Sequence, residues 1–137
     1  MTIPNSVKII ADGAFNGCIG LKSVTIPSSV KTIGRSAFYM CRNLVSVTIA
    51  DTIKTIGASA FDSCTNLESI TFSTALTSIG RYAFNKCSSL ETVDLLQTSV
   101  KTINAFAFSG CSSLTKINIP DSVTTIGSNA FYGCSSL

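Results

Sequence analysis

The chain has 137 residues and a net charge of +3, with no His, no Trp, 12% charged and 45% apolar residues. The charged share is about half the ~25% of an ordinary soluble domain, yet the apolar share can still bury one core. Without His, neither Ser-His or Cys-His nucleophile pairs nor His-based metal sites can be built. No apolar run approaches the ~18 residues of a membrane span, and so small a positive charge makes no case for nucleic acid.

In chain order, the first element is the tail of a strand, since Thr2-Ile3-Pro4 matches Asn118-Ile119-Pro120. Met1 to Asn5 offer neither the charged nor the apolar segment of a signal peptide. The next elements are clearest between Leu21 and Leu44. Leu21, Val24 and Ile26 are apolar while Ser23 and Thr25 are polar. That period of two predicts a short strand with one buried face. Val30 and Ile33 follow, and Gly34 marks a turn. Arg35 to Cys41 lacks alternation and reads as a short helical turn on the opposite side. The glycine column comprises Gly34, Gly57, Gly80 and Gly127, with Asn104 in the same place. Gly and Asn best tolerate left-handed backbone, so φ > 0 is expected there.

The same order of elements then recurs to the end of the chain. Six cysteines (Cys18, Cys41, Cys64, Cys87, Cys111 and Cys134) stand 23, 23, 23, 24 and 23 residues apart. A phenylalanine precedes each by three, an alanine precedes each phenylalanine, and a leucine follows each cysteine by three. The single extra residue falls between Leu95 and Val100. One unit offers eight apolar side chains (Leu21, Val24, Ile26, Val30, Ile33, Ala37, Phe38 and Cys41), more than it can enclose alone. Stacked units can enclose them, because each column packs on its own copies at a rise of about 4.8 Å.

A leucine-anchored unit of this length is a leucine-rich-repeat signature. The "AF..C..L" block with "IP.SV..IG", as in Leu21 to Leu44, resembles the BspA-like, treponemal class of these repeats. The expected fold is a leucine-rich-repeat solenoid of six ~23-residue repeats. It is right-handed by the crossover rule, with a parallel β-sheet on one side and short helical turns or loops on the other. Residues 1–137 form a single array; with no polar caps it is expected to be a fragment of a longer one. The resemblance implies a cell-surface or secreted protein associated with adhesion. Reduced thiols would suit a cytoplasmic location equally well.

The columns carry what chemistry there is. Neighbouring cysteines would stack with parallel Cβ vectors, a poor geometry for disulfides, and a line of single thiols does not converge as a zinc site requires. Reduced, buried thiols acting as small hydrophobes are expected. A further column reads Ser6, Ser29, Thr52, Ala75, Ser99 and Ser122, where hydroxyls can bond the turn backbone.

The outward strand positions are the candidate binding face: Ser23, Thr25, Ser46, Thr48, Ser69, Thr71, Thr92, Asp94, Lys116 and Asn118. Three readings apply to them: a merely soluble face of good β-propensity, a contact surface for protein or glycan, or an ice-type hydroxyl array. The array decays after Thr71, which disfavours the last. Lys8, Lys31, Lys54 and Lys101 share a candidate basic column, suited either to a polyanion or to keeping an exposed edge soluble. The acids form no paired general acid/base site, and no cofactor, metal or catalytic residue is expected. Two functions compete: a non-enzymatic binding or adhesion module, and a structural array stacking head-to-tail into filaments.

Overall fold

A computed structural model describes all 137 residues as one stack of coils. Each coil contributes a strand to the front: β2 (Ser23–Ile26), β4 (Ser46–Ile49), β6 (Ser69–Ile70), β8 (Thr92–Asp94) and β10 (Lys116–Asn118). Each also contributes a two-residue strand to the back: β1 (Ile9–Ile10), β3 (Thr32–Ile33), β5 (Thr55–Ile56), β7 (Ser78–Ile79), β9 (Thr102–Ile103) and β11 (Thr125–Ile126). All pairings are parallel and link like columns, as in Val24 opposite Val47 and Ile33 opposite Ile56. Thr2 extends the front ladder by a single bridge to Thr25.

The solenoid is therefore as expected, with one addition: it carries sheet on two sides rather than one. The back sheet runs unbroken through all six units, in the order β1-β3-β5-β7-β9-β11. Its strands are too short to show alternation in the sequence. They exist because Ile33 and its copies turn inward while the backbone beside them bonds to the next coil.

The third side holds no helix, contrary to the helical turn expected over Arg35 to Cys41. It is a run of tight turns. The N–H groups of Ala37, Tyr39 and Cys41 donate to carbonyls three residues back, those of Gly34, Ser36 and Phe38. The intervening N–H groups of Ser36, Phe38 and Met40 donate to Ala58, Ala60 and Asp62 of the following coil, at 2.9, 2.8 and 2.9 Å. Half the donors thus close turns and half stitch coils together. An α-helix would spend them all internally.

Left-handed residues make this possible, and they are not where the glycine column suggested. Gly34, Gly57, Gly80, Gly127 and Asn104 all avoid positive φ. Those glycines are required by close approach instead. A Cβ on Gly57 would lie 2.6 Å from the Gly34 carbonyl carbon, and one on Gly80 2.4 Å from the Ala58 nitrogen. Asn104 uses its side chain, whose Nδ2 donates to the Ile79 carbonyl at 2.6 Å. The left-handed sites are two other columns. The residue before each Ala-Phe pair (Gly13, Ser36, Ser59, Tyr82, Phe106, Asn129) has φ between 53° and 65°. The residue before each cysteine (Gly17, Met40, Ser63, Lys86, Gly110, Gly133) has φ between 58° and 74°. Positive φ at the third residue of a four-residue turn is the mark of type II.

Inside, 34 buried apolar residues form one cluster. Its spine is a ladder of parallel rings: Phe15, Phe38, Phe61, Phe84, Phe108 and Phe131 stack at centroid spacings of 5.1, 5.1, 5.3, 5.3 and 5.8 Å. The small alanine before each ring lets the turns approach the sheets. Of the hydroxyl column, Thr52 and Ser122 bond the turn backbone at the carbonyls of Val30 and Val100 (3.0 and 2.8 Å). The Ser29 hydroxyl is buried without a partner.

Candidate functional site: the front face and its seam

The front sheet is built from residues whose inward neighbours are fixed by packing, so its outward side chains are free to vary. The structure places Ser23, Ser46 and Ser69 in one paired row, and Thr25 and Thr48 in the next. Thr71 lies one residue past β6, and its hydroxyl accepts the Ile49 N–H at 3.4 Å. Beyond it the pairing stops. Thr92 pairs with Lys116 and Asp94 with Asn118 in a separate two-stranded sheet. The ten candidate residues thus form two patches, a neutral hydroxyl patch and a mixed-charge one. Most are exposed; Ser46 and Asn118 are half-buried.

Between the patches runs a seam. No backbone hydrogen bond joins residues 68–75 to residues 91–98. Between β2 and β4 the Ala50 N–H crosses to the Ile26 carbonyl at 3.1 Å; between β4 and β6 the pairing already ends at Ile70. The counterpart of Ala50 here, the Leu96 N–H, turns back to Asp94 Oδ1 at 3.1 Å. The seam is closed at both ends: Ser89 N–H donates to the Thr65 carbonyl at 3.2 Å, and Ser99 N–H to the Leu76 carbonyl at 2.9 Å. Two local features open it. Phe72 replaces the Ile of earlier coils and packs edge-on to Phe84, with centroids 5.7 Å apart at 75°. The extra residue between Leu95 and Val100 lengthens the segment that leaves β8. The resulting cleft of about 290 Å³ is lined by Ile70, Thr71, Phe72, Thr74, Asp94, Gln97 and Thr98.

The lysine column lies on a different side, just before the back strands. Lys8, Lys31 and Lys54 are on consecutive coils joined by backbone bonds, and Thr77 separates them from Lys101. All four are exposed. The front face and this column do not converge on one site.

The cysteine column is structural chemistry. All six thiols are free. From Cys41 onward each Sγ–H donates to the phenylalanine carbonyl of the preceding coil: Cys41 to Phe15, Cys64 to Phe38, Cys87 to Phe61, Cys111 to Phe84 and Cys134 to Phe108, at 3.1 to 3.2 Å. Burial pushes the Cys111 thiol up to about 12 and holds Cys87 well above its ordinary range. The Cys41 thiol beside it, together with burial, does the same for Cys64. Such thiols are protonated and unreactive at neutral pH.

One cluster escaped the sequence reading. Tyr82 and Phe106 stack at 4.7 Å and 16° on the turn side, with the Arg81 guanidinium 4.9 Å from one ring centroid and 5.7 Å from the other. Both rings sit in a left-handed column that holds Gly13, Ser36, Ser59 and Asn129 in the other coils. The available signal was two aromatic residues 24 apart, the spacing of that one long repeat.

The chain matches the family described as the BspA type leucine rich repeat region, in six copies over residues 1–98 and 79–137. It is similar to a solved leucine-rich repeat protein from Bacteroides ovatus, with 34% identity, TM-score 0.89, and 100% of this chain against 35% of that one. A leucine rich cell surface protein from Faecalibacterium prausnitzii shares 31% identity at TM-score 0.76, over 99% of this chain and 45% of that one. The T. pallidum leucine rich repeat protein shares 28% identity at TM-score 0.74, over 100% of this chain and 77% of that one. The chain thus spans about a third of the length of the Bacteroides protein. No curated protein is similar to it.

Proposed function

We propose a binding function on one premise: this chain belongs to the BspA type leucine-rich-repeat family. The fold is a repeat scaffold, and it contains no helix long and apolar enough to cross a membrane. On this reading the chain is a non-enzymatic adhesion module of a cell-surface or secreted protein. It contacts a protein or glycan through the front sheet. The observation that carries the reading is the register of that sheet. It aligns Ser23, Ser46 and Ser69, and Thr25 with Thr48, in rows that the core does not use. The patch lacks the Trp, Tyr and Arg of strong hot spots, so single contacts are weak and avidity across copies supplies the strength. The likeness to the Faecalibacterium cell surface protein supports the location. The test is binding to arrays of matrix proteins and glycans, compared with a variant carrying Thr25→Glu, Thr48→Lys and Asp94→Lys, which alters both patches of the face. Loss in the variant is expected; equal signal from both overturns the reading.

A second reading is a structural array that stacks coil on coil; what supports it is that like columns pack directly on one another along the chain, as in the ring ladder from Phe15 to Phe131. Sedimentation at rising concentration tests it. Growth of the species mass supports stacking, and a constant monomer mass overturns it.

A further inference from the structure

We propose that the seam between β6 and β8 is a binding slot for one residue of a neutral saccharide. The inference rests on the reading of the front face as a contact surface and names the ligand class for one part of it.

The slot is a cleft rather than a flat surface. Its volume of about 290 Å³ lies just below the ~300–1,000 Å³ of drug-sized ligand pockets, room for a single sugar ring. The bonds at Ser89 and Ser99 close its two ends, so an added β-strand cannot run through it. A compact ligand can enter from the front.

The lining has mixed hydrogen-bonding capacity. The Phe72 carbonyl, like that of Ile49 and unlike that of Ile26, accepts no backbone N–H and is free to accept from a ligand. One Asp94 oxygen accepts the Leu96 N–H, and the other accepts nothing from the protein. The exposed Gln97 carboxamide makes no bond within the chain, and it brings both donors and acceptors. The Thr74 hydroxyl adds another group of both kinds. A cation would take the oxygen atoms alone and leave the Gln97 N–H donors unused. A sugar hydroxyl donates and accepts at once, so a ring bearing several of them uses the whole set. The half-buried Phe72 ring supplies the apolar wall that sugar C–H faces pack against.

The test is NMR titration of the isotopically labelled chain with glucose, galactose, mannose, N-acetylglucosamine and their tetrasaccharides. Saturable shifts are expected at the amides of Thr71, Asp94 and Gln97. Asp94→Asn keeps the side-chain shape and Gln97→Ala alters an exposed group, so both variants fold; each should weaken binding about tenfold or more. Thr25→Glu with Thr48→Lys, on the flat patch, should leave these shifts in place. No shift at millimolar sugar, or shifts unchanged in Asp94→Asn and Gln97→Ala, overturns the slot. That failure is distinct from failure of the face as a whole, which is read by array binding that survives the combined Thr25, Thr48 and Asp94 changes.

Discussion

The turn side and the front face of this solenoid cross the same boundary between the coils of Phe84 and Phe108, with opposite results. On the turn side the two rings stack at 5.3 Å and the Cys111 thiol reaches the Phe84 carbonyl, as at every other level. On the front, all backbone pairing stops. The turn side tolerates the long repeat because its contacts come from identical residues in every coil. The front face has no such fixed column: Phe72 and Leu95 interrupt Ile26, Ile49 and Ile119, and the extra residue falls between Leu95 and Val100. Continuity belongs to the side that repeats its side chains, and variation collects on the side that does not.

The largest test breaks the continuous side. Phe61 is fully buried between two rings, so Phe61→Ala should lose about 3–5 kcal/mol in denaturant unfolding. Against a typical total of about 5–15 kcal/mol that is severe. Gly57→Ala comes next. Its new Cβ meets backbone rather than a movable side chain, and a loss of about 1–3 kcal/mol is expected.

The thiol ladder gives a test by pH. Burial raises the Cys87 and Cys111 values above the ordinary 9.0. The folded state then holds its protons where the unfolded chain has released them. The contribution is fully present below about pH 9 and declines as pH rises through the folded values, so the unfolding midpoint should fall between pH 8 and pH 10.5. At pH 8, iodoacetamide should label the half-buried Cys18 first and Cys134, whose value burial raises, more slowly, and spare the four buried thiols until the chain unfolds.

Two smaller changes sharpen the contrast. Phe72→Ile combined with deletion of Gln97 restores the standard column and the 23-residue spacing. It should zip the front sheet, visible as slower amide exchange at Leu96, worth about 1 kcal/mol per restored bond. Ser59→Gly relieves a side chain at φ 56° and should stabilise by about 0.5–1 kcal/mol in thermal unfolding.

Much of the front face was legible because its strands are long enough to alternate. Ser23 through Ile26 reads as polar, apolar, polar, apolar, and the burial follows that order. The back strands, two residues each, had no period to read. The glycine column was recognised as special for the wrong reason: crowding by the next coil and left-handed backbone select the same residue, and only contact across coils tells them apart. The stacked Tyr82 and Phe106 hid in a column that elsewhere holds small residues.

What the sequence determined by itself is the set of columns: six coils, the inward residues of each, and a line of buried thiols beside a line of rings. Burial is a property of the repeat pattern, and a period of 23 with one lapse is written in the chain. What the tertiary structure decided is every feature that depends on two coils meeting: the second sheet, the left-handed turns, the crowded glycines and the seam. Hydrogen bonds between coils are set by register and spacing in three dimensions. They are missing on a single side, at the level where one bulky side chain and one extra residue occur.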